Sequence, residues 1–305
     1  MLFLFLDGVG LGTDDPERNP FSAADMPYLL ELLEGRRLVE GSAPFEGQRA
    51  TLLAVDARLG VEGAPQSATG QAALLTGENV PSQVGEHYGP KPNPAVAEIV
   101  RRDNLFKQVL ERGGSAALLN GYPPRYFEAI QRGVRLYSSI PLAATSAGLE
   151  LMTVEDMQEG KAFSADFTGV GWSGQPGFPS IPTYDPVQAG RQLARAAESY
   201  DLAWFDFWPS DFAGHRGEMS EAVTLLENLD AVLGGLAEAW EGRSDLIVVT
   251  SDHGNLEDLS RRGHTLNPVP AMLIGPLEMR RGLASGLEDL ASFAPAILET
   301  LFGSP

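Results

Sequence analysis

The sequence predicts an α/β protein: one doubly wound, mostly parallel sheet with helices on both faces and a small cap insertion. Three observations predict it. Short apolar runs with the character of buried strands recur along the chain, and patterns of helical period separate them. Several of these runs end in Asp, in Asp-His or in a Gly-rich turn, which is how an α/β sheet presents functional groups at its carboxyl edge. At 305 residues with 43% hydrophobic content, the chain can bury a substantial core as one domain over 1–305.

Charge and composition narrow the chemistry. A net charge of −19 with only three lysines argues against nucleic acid or an anionic membrane as a partner. A small phosphorylated substrate would need local positive charge, and bound metal cations could supply it. The chain has no cysteine, so disulfides, thiolate chemistry and cysteine-ligated zinc are excluded, and a metal site must use His and carboxylates. The apolar opening, 2–6, meets Asp7 at once and is too short for a signal peptide or a membrane span. It reads as the first buried strand, and the expected location is cytoplasmic. No protein partner is legible.

In chain order, strand 2–6 turns off at Asp7-Gly8-Val9-Gly10, which puts Asp7 at a strand end. A capping role is the alternative for Asp7. A polar loop over 13–19 and a short helix over 26–34 follow. Pro65-Gln66-Ser67-Ala68-Thr69-Gly70 then opens a small-residue helix that stops at Gly77. Ser67 or Thr69 would sit at its N-terminus, where free N–H groups favour an anion. Either hydroxyl could be a plain N-cap, or a nucleophile if a metal lies near. The Gly- and Pro-rich segment 80–94, with His87, reads as a surface loop. A helix is expected over 104–112 and a strand over 115–120, after which Arg125 lies just past a strand end and could grip a phosphate.

Over 126–183 the pattern loosens, and Gly169 to Gly177 is dense in breakers. This region is expected to form a small cap or lid over the strand ends. The core resumes with helix 186–199 and strand 202–208. Asp211 and His215 follow, four apart, so both reach one side of a helical turn and can share an ion. A long helix over 218–240 leads to strand 245–250 and then Ser251-Asp252-His253-Gly254-Asn255. That pair could equally be a hydrogen-bonded turn. His264 sits in a turn ahead of strand 271–274, and a helix over 287–301 ends the pattern.

Three of the four histidines fall at expected strand-edge loops beside Asp or Gly. With Asp7, Asp211 and Asp252 they suffice for two metal ions, and such mixed ligands suit Zn²⁺ or Mn²⁺ better than Ca²⁺ or Mg²⁺. The ordered set resembles the alkaline phosphatase superfamily of two-metal enzymes, nearest the branch holding cofactor-independent phosphoglycerate mutase and phosphopentomutase. Gln66-Ser67-Ala68-Thr69-Gly70-Gln71 is similar to that branch's nucleophile motif, Asp211 to His215 to its Asp-x-x-x-His, Asp252 to Asn255 to its Asp-His-Gly-Asn, and His264 to Pro270 to its His-Thr-x-x-x-Val-Pro.

The resemblance implies an alkaline phosphatase-like fold and two divalent ions, Mn or Zn. Asp211, His215 and His264 would bind one ion; Asp7, Ser67, Asp252 and His253 would bind the other. Ser67 would be the nucleophile, through a phosphoserine intermediate. The implied activity is phosphomonoester hydrolysis, with phosphomutase as the alternative and a non-catalytic metal-binding homologue as a third reading. Gln71 and Ala73 depart from the His and Asn that follow the motif glycine in the mutases. The chain also has no room for the mutase's large, Arg- and Lys-rich second domain, which favours hydrolysis.

Overall fold

A computed structural model describes residues 1–303. Strand β1 (Leu2–Leu6) shows why the sheet is covered on both faces. Leu2, Leu4 and Leu6 join one apolar cluster, Phe3 and Phe5 the other, and all five are buried. A strand with no polar member in either alternating set must be covered on both sides.

β5 (Leu202–Phe207) and β6 (Ile247–Thr250) flank β1 in parallel, and β4 (Ala116–Leu118) runs parallel to β5. On the other side β7 (Val269–Ile274) is antiparallel to β6, and β3 (Ala50–Val55) is antiparallel to β7. A short β2 (Phe45–Glu46) pairs with β3 at the sheet edge. The order is β2-β3-β7-β6-β1-β5-β4. The expected doubly wound α/β sheet is therefore present, with an antiparallel flank that includes a β2–β3 hairpin absent from the sequence reading. The run Ala50–Val55 is apolar enough to be a strand, but nothing in its residues announces its direction.

Helices Pro27–Leu32, Pro186–Ala197 and Met219–Ala239 lie on the face of Leu2 and Leu4. Helices Pro94–Arg102, Leu105–Glu111 and Phe293–Phe302 cover the face of Phe3, where Trp204 stacks on Phe3 at 3.8 Å. Helix Ser67–Thr76 is buried along its whole length. Its small residues serve close approach: a Cβ on Gly70 would lie 2.9 Å from the Asp252 carbonyl oxygen.

Segments expected to be irregular are more ordered than they read. Within 80–94 lies a helix, Val80–Val84, capped by the Asn79 side chain. The region 126–183 is entered by helix Pro124–Gln131 and contains helices Ser139–Ser146 and Val154–Gln158. It has two surroundings. Ile140 and Ala143 are fully buried in the main core, and Ser139 Oγ donates to the Ala68 carbonyl at 2.9 Å. Phe167 is buried against Phe205 and Phe207, and residues 170–178 are exposed or half-buried. The last helix is shorter than expected, Phe293–Phe302, preceded by a 3₁₀ turn capped by Asp289. Among the described residues no helix is long and apolar enough to cross a membrane.

Candidate metal centre

Parallel pairing brings the ends of β1, β5 and β6 to one edge. Leu6 lies opposite Phe207 and Phe5 opposite Thr250, so Asp7, the start of helix Pro209–Arg216 and Ser251-Asp252 emerge together. Gly8 makes the turn after Asp7 with φ of +70°, and a Cβ there would meet Asp211 Oδ1 at 2.7 Å. The tight turn lets two carboxylate-bearing loops touch.

His253 Nε2 lies 3.1 Å from Ser67 Oγ, 3.4 Å from Asp7 Oδ1 and 3.7 Å from Asp252 Oδ1. Asp252 Oδ1 accepts from the Gly8 N–H at 3.4 Å, and Oδ2 accepts from Gln71 Nε2 at 3.2 Å. Gln71, one turn along the helix from Ser67, also reaches Asp7 Oδ2 at 3.4 Å. Its amide therefore stands among the carboxylates where the resembling mutases have His.

Asp211 joins this group to a second one. Its Oδ2 is 3.4 Å from His215 Nε2 and its Oδ1 is 3.8 Å from His264 Nε2. The possible ligand atoms of Asp211, His215 and His264 lie within 4.8 Å of one another, and so do those of Asp7, Asp211 and His253. Asp211 thus belongs to both clusters, where the sequence reading placed it in one. The His264 ring stacks on His253 with centroids 3.7 Å apart, and its Nδ1 donates to the Pro65 carbonyl at 2.7 Å. That bond leaves Nε2 with its lone pair toward Asp211, the tautomer a metal ligand needs.

Donor chemistry and electrostatics fit a divalent cation. Asp7 Oδ1 is buried and accepts no hydrogen bond. Burial, then the charge of Asp7, pushes the Asp252 carboxyl well above the usual carboxylate range. Burial alone would neutralise His253, but Asp252 and Asp7 hold its proton on up to about 10. Burial and the neighbouring His253 bring His264 down to about 4. A proton on His253 therefore supplies the positive charge these carboxylates demand, and a metal ion would replace it.

The other residues singled out by sequence divide cleanly. Ser67 is the first residue of its helix and faces His253. Thr69 instead donates to the Gln66 and Tyr88 carbonyls and accepts from the Tyr88 N–H, tying down a loop. His87 turns away to the Val61 carbonyl at 3.3 Å. Arg125 is outside both clusters; it lies over Phe178 at the wall of an adjoining cavity of about 590 Å³.

Two contributors escaped the sequence reading. Buried Glu257 accepts from the Gly10 N–H at 2.9 Å, the Asn255 N–H at 2.8 Å, Asn267 Nδ2 at 3.0 Å and the Thr265 hydroxyl, joining the loops that carry Asp7, His253 and His264. No spacing marks it, because its partners come from three distant loops. Asp206, the polar member of β5, has a buried Oδ1 with no partner, and burial followed by Asp7 raises its carboxyl well above the usual range. A carboxylate inside Leu-Ala-Trp-Phe-Asp-Phe was the available signal.

Comparison with known proteins agrees with this architecture. Residues 179–303 match the Metalloenzyme superfamily model, a stretch that holds Asp211, His215, Asp252, His253 and His264. The chain is 35% identical over 135 residues to the 2,3-bisphosphoglycerate-independent phosphoglycerate mutase of Desulforudis audaxviator, covering 40% of this chain and 26% of that one. For the enzyme of the same name from Syntrophotalea carbinolica the figures are 33%, 40% and 26%. The chain thus spans about a quarter of the length of these relatives. Its fold matches the PH0037 protein of Pyrococcus horikoshii with a TM-score of 0.59 at 12% identity, covering 100% of this chain and 97% of that one. It matches the alkaline phosphatase of the Antarctic bacterium TAB5 with 0.54 at 15% identity, covering 100% and 98%. The chain is thus similar in sequence to the Metalloenzyme model over 179–303 and similar in fold to the alkaline phosphatase over its whole length.

Proposed function

We propose that this chain, alkaline phosphatase-like in fold and Metalloenzyme in its C-terminal sequence, is a metal-dependent phosphomonoester hydrolase that works through a phosphoserine on Ser67. One observation carries the reading: Ser67 Oγ stands at the head of a buried helix, 3.1 Å from His253 Nε2 of the buried carboxylate–imidazole cluster. A purely structural metal site has no use for a hydroxyl there.

Asp211, His215 and His264 would hold one divalent ion, and Asp7, Ser67, Asp252 and His253 the other, with Asp211 near enough to contribute to both. Mn²⁺ and Zn²⁺ suit the mixed ligands. When bound, the ions would supply Lewis acidity and charge neutralisation for an in-line displacement at phosphorus. Ser67 Oγ attacks phosphorus, the P–O bond to the alcohol breaks, and the alcohol departs with a proton. Water then cleaves the phosphoserine, releasing phosphate and restoring the hydroxyl. The amino end of helix Ser67–Thr76 adds the field of its dipole in favour of the phosphoryl anion.

Phosphomutase activity is the second reading, favoured by the names of the sequence relatives. It needs the cap to retain the dephosphorylated intermediate, and the chain spans about a quarter of the length of those relatives. Metal analysis of the purified chain should find about two ions per molecule; one or none would sink the binuclear reading. Ser67→Ala should lower kcat on an aryl phosphate by about a thousandfold or more. Phosphorus NMR of 3-phosphoglycerate separates phosphate release from isomerisation.

A further inference from the structure

We propose that the cavity beside the metal clusters receives the alcohol half of the phosphoester, and that this half carries a flat heterocyclic ring of nucleoside size. The inference rests on the phosphoesterase reading above and names the substrate class of that site.

Position comes first. Trp208 and Pro209 line the cavity and lead directly into the helix that carries Asp211 and His215. Leu118 pairs with Trp204, so Tyr122 leaves the end of β4 at the level where Trp208 leaves β5. Asn120 and Asp206 hold the two strand ends in that register through paired bonds of 2.8 Å. The cavity wall is therefore continuous in sequence with the helix that carries two of the candidate ligands, Asp211 and His215.

Size and lining select the ligand. At about 590 Å³ the cavity lies in the range of sites that enclose drug-sized molecules, roughly 300–1,000 Å³. A three-carbon acid would leave most of it unfilled. Aromatic rings form much of its wall, with Tyr122 against Tyr126 at 4.5 Å and Trp172 against Phe178 at 4.9 Å. Trp208, at the mouth, is 51% exposed, a large apolar surface next to the metal clusters that a stacking ligand would cover.

Two guanidinium groups lie flat on these walls, Arg125 over Phe178 at 3.7 Å and Arg135 over Tyr126 at 4.8 Å. Among the described residues neither donates a side-chain hydrogen bond or pairs with a carboxylate, although the chain carries 41 acidic residues. The carboxylate in the wall, Asp166, is engaged by Ser164, Thr168 and the Gly171 N–H. Stacking fixes the arginine planes and leaves their N–H edges for the carbonyl and ring-nitrogen acceptors of a heterocycle.

Adenosine, which lacks the phosphate, tests the cavity apart from the chemistry. Titrated into the metal-free full chain, it should quench tryptophan fluorescence saturably. Phe178→Ala and the surface variant Arg125→Ala should each weaken that binding by about tenfold with unchanged Tm. With Mn²⁺ added, kcat/KM for adenosine 5′-monophosphate should exceed that for glycerol 3-phosphate by about tenfold or more, and both variants should drive the ratio toward unity. Absence of quenching at millimolar adenosine, or equal kcat/KM for the two esters, would overturn the inference while leaving the phosphatase reading intact. Saturable quenching with no turnover of any ester supports the cavity assignment and overturns the phosphatase reading.

Discussion

The two carboxylate–imidazole clusters share Asp211 yet are built in opposite ways. Asp252 and His253 are completely buried, fixed by the end of β6 and packed beneath helix Ser67–Thr76. His215 sits on a short helix with 48% of its side chain exposed, and Asp211 has 20%. In the buried cluster desolvation, then the charge of Asp7, drives the Asp252 carboxyl toward protonation, and against its own burial His253 keeps its proton through Asp252 and Asp7. The second cluster opens to water at His215, while its His264 is only 7% exposed and is brought down to about 4 by burial first. Preorganisation is therefore concentrated on the side that holds Ser67.

Chelation should produce the largest change. Removing metal exposes the repulsion in the buried cluster, so metal-loaded protein should be more stable by about 3 kcal/mol per site at a hundredfold excess over Kd. Calorimetry with and without a chelator checks this; an unchanged Tm would mean that the buried cluster is satisfied without metal. Next, Glu257→Gln should cost about 2 kcal/mol, because an amide nitrogen would face donors that a carboxylate accepts. Metal affinity should fall about tenfold or more as the loops of His253 and His264 lose their common anchor. Denaturant melts and a metal titration read the two effects.

Asp252→Asn separates stability from function. In metal-free protein the net change should stay within about 1 kcal/mol, while metal binding and turnover collapse. Removing a buried charge facing Asp7 is set against the lost countercharge of His253 and an amide nitrogen facing the Gly8 N–H or Gln71. A metal-free variant whose Tm differs from wild type by about 10 °C or more would break the comparison. The pH dependence sharpens it further. His253 is raised from 6.5 to about 10, so its stabilising contribution is complete below pH ~6.5 and disappears as pH rises through about 10. Metal-free protein should lose stability across that window, and metal-loaded protein, whose imidazole must be neutral, should not. The smallest stability effect belongs to His215→Ala, within about 0.5 kcal/mol, with loss of one ion by metal analysis.

Much of the fold was legible because burial writes itself into residue type. Leu2–Leu6 is apolar throughout, Leu202–Phe207 and Ile247–Thr250 are apolar but for Asp206 and Thr250, and each run is followed within four residues by a candidate aspartate ligand. The antiparallel flank was harder to read. Ala50–Val55 and Val269–Ile274 are as apolar as the parallel strands, and direction is a property of the connection rather than of the run. In 126–183 the loss of period hid the helix Ser139–Ser146, which is buried all around its first six residues and so carries no amphipathic stripe.

The sequence by itself determined which residue types could gather at the sheet edge, since motif spacing ties Asp7, Ser67, Asp211, His215, Asp252, His253 and His264 to strand ends and helix starts. Only the tertiary structure decided how they group. Asp211 standing between the clusters, Gln71 filling the place among the carboxylates, Glu257 joining three loops and Asp206 left unpaired beneath Asp7 all depend on contacts between residues far apart in sequence. A local pattern can say that a side chain leaves a strand end. What it meets there is set by the packing of other elements against that end.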